Sequence, residues 1–237
     1  LHAMLQNAVY WQIIPYNPAD RVKPPKHQRP QIKYYDDIQC KQLLEALEHE
    51  EIKFQTIVIL TLFTGMRRGE VLGLEWSEID FDNGFVHITK ASQYTSEKGI
   101  FVKNPKTQSS IREVGIPDIV INFLKKYRTW YEAEKEKCGN LWINSNRLFV
   151  TWNGNPMHPD TVTDWFRSFI EKNNLPKITF HGLRHTNATL LISKNVDVAV
   201  VASRLGHAQI TTTLNFYVHP VQSHNKEAGQ VLEKLLV

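Results

Sequence analysis

Apolar residues recur at helical spacing through most of the chain, and the stretches that break this spacing are short. Helices are predicted at 3–14, 36–50, 52–63, 66–74, 118–136, 159–173, 181–194, 196–205, 210–218 and 223–236. β-Prone residues concentrate at 85–91, 100–102 and 111–116, which favours strands there. The last two flank the polar turn at 104–110 and are predicted to pair as a hairpin. The expected fold class is therefore α+β, mainly helical with a small antiparallel β-sheet.

Residues 17–33 interrupt the helical pattern. They contain four prolines, and five basic side chains against one acidic side chain. Proline removes a backbone donor and restricts the residue before it, so neither a helix nor a central strand is expected here. The segment is either a solvated loop or a basic strap that contacts a polyanion.

This break divides the chain into a short opening segment and one large domain. The opening helix, within 1–16, has no capping residue before its first turn, which indicates a fragment cut from a longer protein. Residues 17–33 are interpreted as an extended linker, and 34–237 as a single domain. The total length of 237 residues suits one large domain plus a piece of another.

Composition narrows the class of protein. With 42% hydrophobic and 22% charged residues the chain is an ordinary globular protein. No apolar run approaches the roughly 18 residues of a membrane span, and no signal peptide is evident. Cys40 and Cys138 are far apart and follow no spacing pattern. They could form one bridge, but ordinary thiols of a reducing compartment fit better.

The net charge of +4 is small, but its distribution is uneven. Residues 34–90 carry five basic and eleven acidic side chains, whereas 91–128 carry seven basic and three acidic ones. Together with the basic segment 17–33, this pattern favours a protein that meets an anionic partner on one face.

Two candidate sites for chemistry occur in the first half of the chain. Arg67 and Arg68 follow an apolar run, and an arginine is costly to bury unless it is paired or meets an anion. Glu70 lies at i+3 from Arg67, so a salt-bridged helix start is the plainer interpretation. Lys106 lies at the tip of the predicted hairpin, where it is either simply solvated or able to reach a phosphate or donate a proton.

Two further candidates occur in the second half. His181 and Arg184 are three residues apart at a helix start, so a proton-transfer group and a guanidinium can face one site. The alternative is a capping and core histidine. Tyr217 lies ten residues after His207. A buried tyrosine is usually a core residue, and as a nucleophile it would need stabilisation of its charge, because a phenol has a pKa of about 10.

A metal site is disfavoured. His181 and His185 have the i, i+4 spacing of a helical zinc pair, and His207 could be a third ligand. However, position 182 is glycine where the glutamate of an H-E-x-x-H motif would stand. No glycine-rich phosphate loop, dinucleotide fingerprint, or serine or cysteine nucleophile with a matching base is evident.

Five short motifs occur in the order found in the tyrosine recombinase (phage integrase) family, which this chain resembles. They are TGMR at 64–67, KT at 106–107, HGLRH at 181–185, LGH at 205–207 and the tyrosine of NFYVH at 215–219. The resemblance covers roughly 33–237, as the catalytic domain. The opening helix resembles the last helix of the family's core-binding domain. Two features depart from the pattern of the family. Arg68 stands where many relatives carry a smaller or uncharged residue, and the ten-residue spacing between His207 and Tyr217 is one residue longer than in some relatives.

The resemblance implies a role for each motif residue. Arg67 and Arg184 would clamp the scissile phosphate, and His207 would hydrogen-bond one of its oxygens. Lys106 would protonate the 5′-hydroxyl leaving group, His181 would help move the proton of the nucleophile, and Tyr217 would form a 3′-phosphotyrosine link. The 5′-hydroxyl of a second strand would then attack the phosphotyrosine link and reverse the cleavage. The resemblance implies no metal or other cofactor for these steps.

The family further implies a site-specific recombinase or integrase of a phage or mobile element. Its partners would be double-stranded DNA attachment sites, with a monomer when free, a homotetramer on DNA and possible accessory factors that bend DNA or set direction. The place of action would be the cytoplasm, at the nucleoid, with no membrane involved. The candidates for DNA contacts are Arg21, Lys23, Lys26, Arg29, Lys103 and Arg112. The alternatives are a type IB topoisomerase-like nicking-closing enzyme and a catalytically inactive DNA-binding relative.

Overall fold

The computed structural model describes residues 1–23, 33–103, 111–207, 209–211 and 213. The chain divides into two compact units, Leu1–Gln31 and Ile32–Val237. In the first unit, α1 (His2–Tyr10) is followed by a 3-10 turn, Pro18–Arg21. The helix α1 ends four residues before the predicted end. Gln12 adopts a left-handed backbone with φ 58°, which a continuing α-helix does not allow.

The helices of the second unit follow the apolar spacing of the sequence. They are α2 (Asp37–Leu47), α3 (Ile52–Thr64), α4 (Arg68–Gly73), α5 (Asp118–Cys138), α6 (Pro159–Lys172), α7 (Phe180–Ser193) and α8 (Val198–Leu205). Their first residues follow from capping: Asp36 and Gln39 form a capping box at α2, and Asp197 caps α8. The predicted helices at 210–218 and 223–236 fall mostly or wholly outside the described residues.

The helix α3 lies at the centre of this unit. Nine of its thirteen residues are buried, and it packs against α5 on one side and α7 on another. A helix that is apolar nearly all round must be covered by neighbours, which explains why TIVILTLF reads as one uninterrupted hydrophobic run. The end of α3 therefore has a fixed position, and the first candidate motif begins there.

Within the described residues, five short strands form two antiparallel sheets. They are β1 (Ile79–Asp80), β2 (Phe85–Ile88), β3 (Ala91–Thr95), β4 (Gly99–Lys103) and β5 (Arg112–Gly115). One sheet has the order β1-β2-β5, and the other pairs β3 with β4.

The predicted hairpin between 100–102 and 111–116 is wrong in its pairing. The strand β4 pairs with β3 through a turn that ends at Gly99, where φ is 65°. The strand β5 pairs with β2, which places the buried Val114 opposite the buried Val86. The polar sequence of β3 does not predict a strand, so the sequence pattern pairs β4 with the run at 111–116 instead of with β3. Lys106 lies outside the described residues.

The fold class is confirmed as α+β, mainly helical with small antiparallel sheets. Cys40 and Cys138 are both free thiols. No helix in the described part of the chain is long and apolar enough to cross a membrane.

Candidate functional site

Two helices that end in glycine bring their C-terminal turns together. Gly65 ends α3 and Gly206 ends α8, each with φ 67°, a left-handed conformation that glycine adopts without strain. A Cβ on Gly65 would lie 2.6 Å from Cδ2 of Leu205, and one on Gly206 would lie 2.8 Å from Nη1 of Arg112. Both positions therefore require glycine for backbone conformation and for close packing.

The guanidinium of Arg184 joins these two helix ends. It lies on α7, which begins where Thr179 accepts a hydrogen bond from the N–H of Gly182. Arg184 is only 3% exposed; its Nη1 donates to the carbonyl of Gly65 at 2.7 Å, and its Nη2 donates to the carbonyl of Leu205 at 2.7 Å. The two carbonyl oxygens fix the orientation of the guanidinium, and a guanidinium held in this way suits the recognition of an anion.

Arg67 is held by Glu70. Its Nη1 lies 2.7 Å from Oε1 of Glu70, and its Nη2 donates to the carbonyl of Gly206 at 3.4 Å. The side chain of Arg67 keeps 40% of its surface exposed, whereas Glu70 is buried. The i+3 pair anticipated from the sequence is thus present, and it leaves the guanidinium accessible at the surface of the site.

Glu70 also binds a second arginine from the sheet. Its Oε2 lies 2.8 Å from Nη2 of Arg112, and Nε of Arg112 donates to the carbonyl of Arg204 at 2.7 Å. Burial raises the pKa of Glu70, but the hydrogen bond and charge of Arg112, together with Arg67, outweigh it and hold the pKa below its usual value. Glu70 is therefore a carboxylate at neutral pH.

This arrangement places Arg112 behind the site. Its side chain is 6% exposed and its guanidinium is paired with the carboxylate of Glu70, so Arg112 fixes Glu70 in the interior rather than reaching outward as the predicted DNA contact would require. Arg204, which the sequence analysis did not single out, lies beside it and donates from Nη2 to the carbonyls of Phe63 and Gly115. Nothing in the sequence distinguishes such interior arginines from surface ones.

His207 follows Gly206 and lies against Arg184. Its Nε2 is 2.8 Å from Nη2 of Arg184, and its Nδ1 is 2.8 Å from Oγ1 of Thr213. Burial lowers the pKa of His207 to about 4, with further lowering by Arg184, Arg67 and Arg112. The ring is therefore neutral at pH 7.

The pKa values of the two histidines of α7, His181 and His185, are lowered as well. Partial desolvation of the His181 ring lowers its pKa, although the residue is exposed overall. The charges of Arg184 and Arg67 lower this pKa further. Burial lowers the pKa of His185 to about 4, and His181 and Arg184 add to that effect. The rings of His181 and His185 meet edge to face, 4.9 Å apart. Among the described residues, no group of three or more histidine, cysteine or acidic side chains is placed to hold a metal ion.

The structure distinguishes the two adjacent arginines of the first motif. Nη1 of Arg68 donates to Oγ1 of Thr163 at 2.5 Å and lies 3.3 Å from Oδ1 of Asp160, both on α6. Arg67, in contrast, turns toward Gly206. Of the two, Arg67 is the one that shares the site with Arg184 and His207.

The structure thus brings together Arg67, His181, Arg184 and His207, from three separate parts of the sequence. Lys106 and Tyr217 lie outside the described residues, as do Lys26 and Arg29. Arg21 and Lys23 are exposed in the first unit, and Lys103 is exposed at the end of β4. Two residues of the site, Arg204 and Thr213, were missed by the sequence analysis.

Replacing Glu70 with glutamine is expected to lower the free energy of unfolding by about 3 kcal/mol, because two arginines, one of them buried, would lose a shared charge partner. Urea denaturation followed by tryptophan fluorescence measures this change. The matched control is Glu113→Gln on β5, whose exposed carboxylate pairs with His87 at 3.0 Å and whose loss is expected to cost under about 1 kcal/mol. Equal losses in the two variants would contradict a buried anchor at Glu70.

Comparison with known proteins links this geometry to one family. The model described as "Phage integrase family" matches residues 33–224. A "Tyrosine recombinase XerC-like" protein of Caldanaerobacter subterraneus subsp. tengcongensis is 30% identical over 236 residues, and the ICEBs1 integrase of Bacillus subtilis is 28% identical over 238 residues. The alignments cover 95% and 100% of this chain, but only 58% and 64% of those relatives.

A solved structure is similar over the whole chain. It is the Tn1549 transposon integrase in complex with transposon right end DNA, with a TM-score of 0.80 and 25% sequence identity. The superposition covers 100% of this chain and 76% of that one.

Proposed function

This chain belongs to the phage integrase family, and from that membership we propose that it cleaves and rejoins DNA strands through a covalent 3′-phosphotyrosine link. The observation that carries the proposal is the convergence of Arg67, Arg184 and His207 around the ends of α3 and α8. The curated relatives are named as recombinases and integrases, and no observation favours a nicking-closing topoisomerase. We therefore propose site-specific recombination of a phage or other mobile element.

The two arginines would bind and stabilise the scissile phosphate. Guanidinium groups match phosphate oxygens in geometry and stay charged at any physiological pH. Arg184 is fixed by two carbonyls and Arg67 by one carboxylate, so little reorganisation is needed when negative charge builds up on the phosphate. His207, adjacent to Arg184, would hydrogen-bond a non-bridging oxygen.

The reaction needs one nucleophile, one proton acceptor and one proton donor. The phenol oxygen of Tyr217 would form a bond to phosphorus while the bond between phosphorus and the 5′ oxygen breaks. His181, which its surroundings keep neutral, would take the phenol proton, and Lys106 would give a proton to the 5′ oxygen. Attack by the 5′-hydroxyl of another strand would restore the phosphodiester and the free tyrosine, with no metal or other cofactor.

The domain organisation is also proposed from these observations. The boundary between the compact units, at Gln31 and Ile32, and the start of the family match at residue 33 support a catalytic domain over 34–237. Residues 17–33 would be the interdomain linker. Residues 1–16 would be the C-terminal helix of a core-binding domain.

The DNA contacts proposed for the chain's exposed cations are sequence-independent. Arg21, Lys23 and Lys103 would bind phosphates, as would Lys26 and Arg29 of the linker, whereas Arg112 would support the site from the interior. The assembly would be a homotetramer on two attachment sites, formed from free monomers, with accessory DNA-bending or directionality factors. Action on chromosomal DNA would place it in the cytoplasm, at the nucleoid.

Trapping of a covalent adduct tests the function without knowledge of the attachment site. The protein is incubated in EDTA with a library of duplexes that carry one nick flanked by randomised bases. The nick lets the short 5′-hydroxyl fragment diffuse away, so cleavage cannot be reversed. We expect a protein–DNA adduct that survives SDS, and sequencing of the bound strands would return a preferred site. Absence of an adduct at micromolar protein would contradict the proposed reaction.

A further inference from the structure

The hydrogen bonds of His207 define which of its nitrogens carries a proton in the free protein. Nη2 of Arg184 lies 2.8 Å from Nε2, and arginine has only donors, so Nε2 must accept. Because the ring is neutral, its single proton is on Nδ1, where it is donated to Oγ1 of Thr213 at 2.8 Å.

Thr213 differs from its neighbour Thr211 in burial. It has 0% exposed surface, whereas Thr211, two residues earlier, is exposed. A buried hydroxyl that binds Nδ1 cannot be replaced by water when it is removed, and a buried nitrogen without a partner is costly. In the sequence, Thr213 also lies between His207 and Tyr217.

Phosphate binding would require the opposite arrangement of protons. A phosphate oxygen is an acceptor, so His207 can hold it only when Nε2 carries a proton. If the ring stays neutral, Nδ1 has then lost its proton and can only accept a hydrogen bond. Its partner must therefore change from a hydrogen-bond acceptor into a donor. A threonine hydroxyl can meet both needs, because rotation about its C–O bond turns it from acceptor into donor.

We propose that Thr213 is a positioning residue for His207, whose hydroxyl accepts from Nδ1 in the free protein and donates to Nδ1 when a phosphate is bound. His207 then exchanges Arg184 for the phosphate while both ring nitrogens stay paired. The ring releases the Nδ1 proton to water and takes up one on Nε2, so its charge does not change. The phosphate-bound half of this proposal rests on the proposed function.

The first test compares variants that keep or remove the hydroxyl. Thr213→Val keeps the volume and removes the hydroxyl, and Thr213→Ser keeps the hydroxyl. On the duplex returned by the trapping selection, we expect Thr213→Val to form the adduct about 30-fold more slowly than wild type, which corresponds to one buried hydrogen bond. Thr213→Ser and the matched control Thr211→Val are expected to stay within about threefold. Adduct formation by Thr213→Val at the wild-type rate would overturn the proposal.

The second test uses the free protein and needs neither DNA nor activity. Long-range proton–nitrogen NMR on 15N-histidine protein reports which ring nitrogen is protonated, and the His207 signals are assigned by their loss in His207→Gln. We expect the proton on Nδ1 in wild type and Thr213→Ser, and a loss of this single tautomer in Thr213→Val. A proton on Nε2 in wild type would overturn the proposal, whatever the variants do.

The two tests separate this proposal from the function on which it rests. If wild type forms no adduct, the proposed function and the phosphate-bound half fail together, while NMR still decides the free state. If wild type forms the adduct and Thr213→Val matches it, the function stands and the role of Thr213 is refuted.

Discussion

Replacing Arg184 with lysine is expected to slow covalent adduct formation about a thousandfold, although the positive charge is kept. The guanidinium binds the carbonyls of Gly65 and Leu205 through two different nitrogens and still faces His207. A lysine ammonium is a single point on a flexible chain and cannot hold this geometry while it meets a phosphate. The rate of adduct formation on the selected nicked duplex measures the effect.

The control for this prediction is Arg204→Lys. Arg204 also donates to two backbone carbonyls, those of Phe63 and Gly115, but does not contact His207. Both substitutions are expected to lower the free energy of unfolding by a similar amount, about 1–3 kcal/mol. Only Arg184→Lys should abolish most cleavage, and Arg204→Lys should stay within about tenfold of wild type. A similar loss in both would assign Arg184 a structural role alone.

Replacing Tyr217 with phenylalanine is expected to remove adduct formation completely, to below a thousandth of the wild-type rate. The substitution deletes the attacking oxygen and leaves the ring, so no other step of the proposed reaction is changed. DNA affinity, measured by mobility shift on the selected duplex, should stay within about twofold, because phosphate contacts dominate such binding.

Tyr34→Phe is the control for loss of a phenol elsewhere. Tyr34 is 42% exposed and belongs to none of the five motifs, so its variant should form adduct at the wild-type rate. Adduct formation by Tyr217→Phe would refute the assignment of the nucleophile, and a strong loss of DNA binding would show that Tyr217 acts before the chemical step.

The helical part of the fold was predictable because its signals are local. Asp36 and Gln39 mark the start of α2, Gly65 marks the end of α3, and the apolar run of α3 indicates a buried helix. The strand pairing was not predictable in the same way. The strand β3 is polar, and whether β4 pairs with it or with β5 depends on long-range packing that no local pattern records.

The candidate site shows the same division between local signals, which the sequence records, and long-range contacts, which it does not. Arg67, His181, Arg184 and His207 stand in short motifs, so the sequence alone suggested them. The partners that orient them come from distant parts of the chain: Arg112 reaches Glu70 from the sheet, and Arg184 reaches the ends of two helices. Arg112 in particular looked like a surface cation, because sequence shows the charge of a residue but not its burial.

The identity of the residue that becomes attached to DNA tests the proposed mechanism most directly. The trapped adduct is digested with trypsin and nuclease, and the peptide that carries a nucleotide is sequenced by mass spectrometry. The mechanism predicts a nucleotide joined through its 3′-phosphate to Tyr217, within the peptide that follows Arg204. Attachment to any other residue, or through a 5′-phosphate, would contradict it.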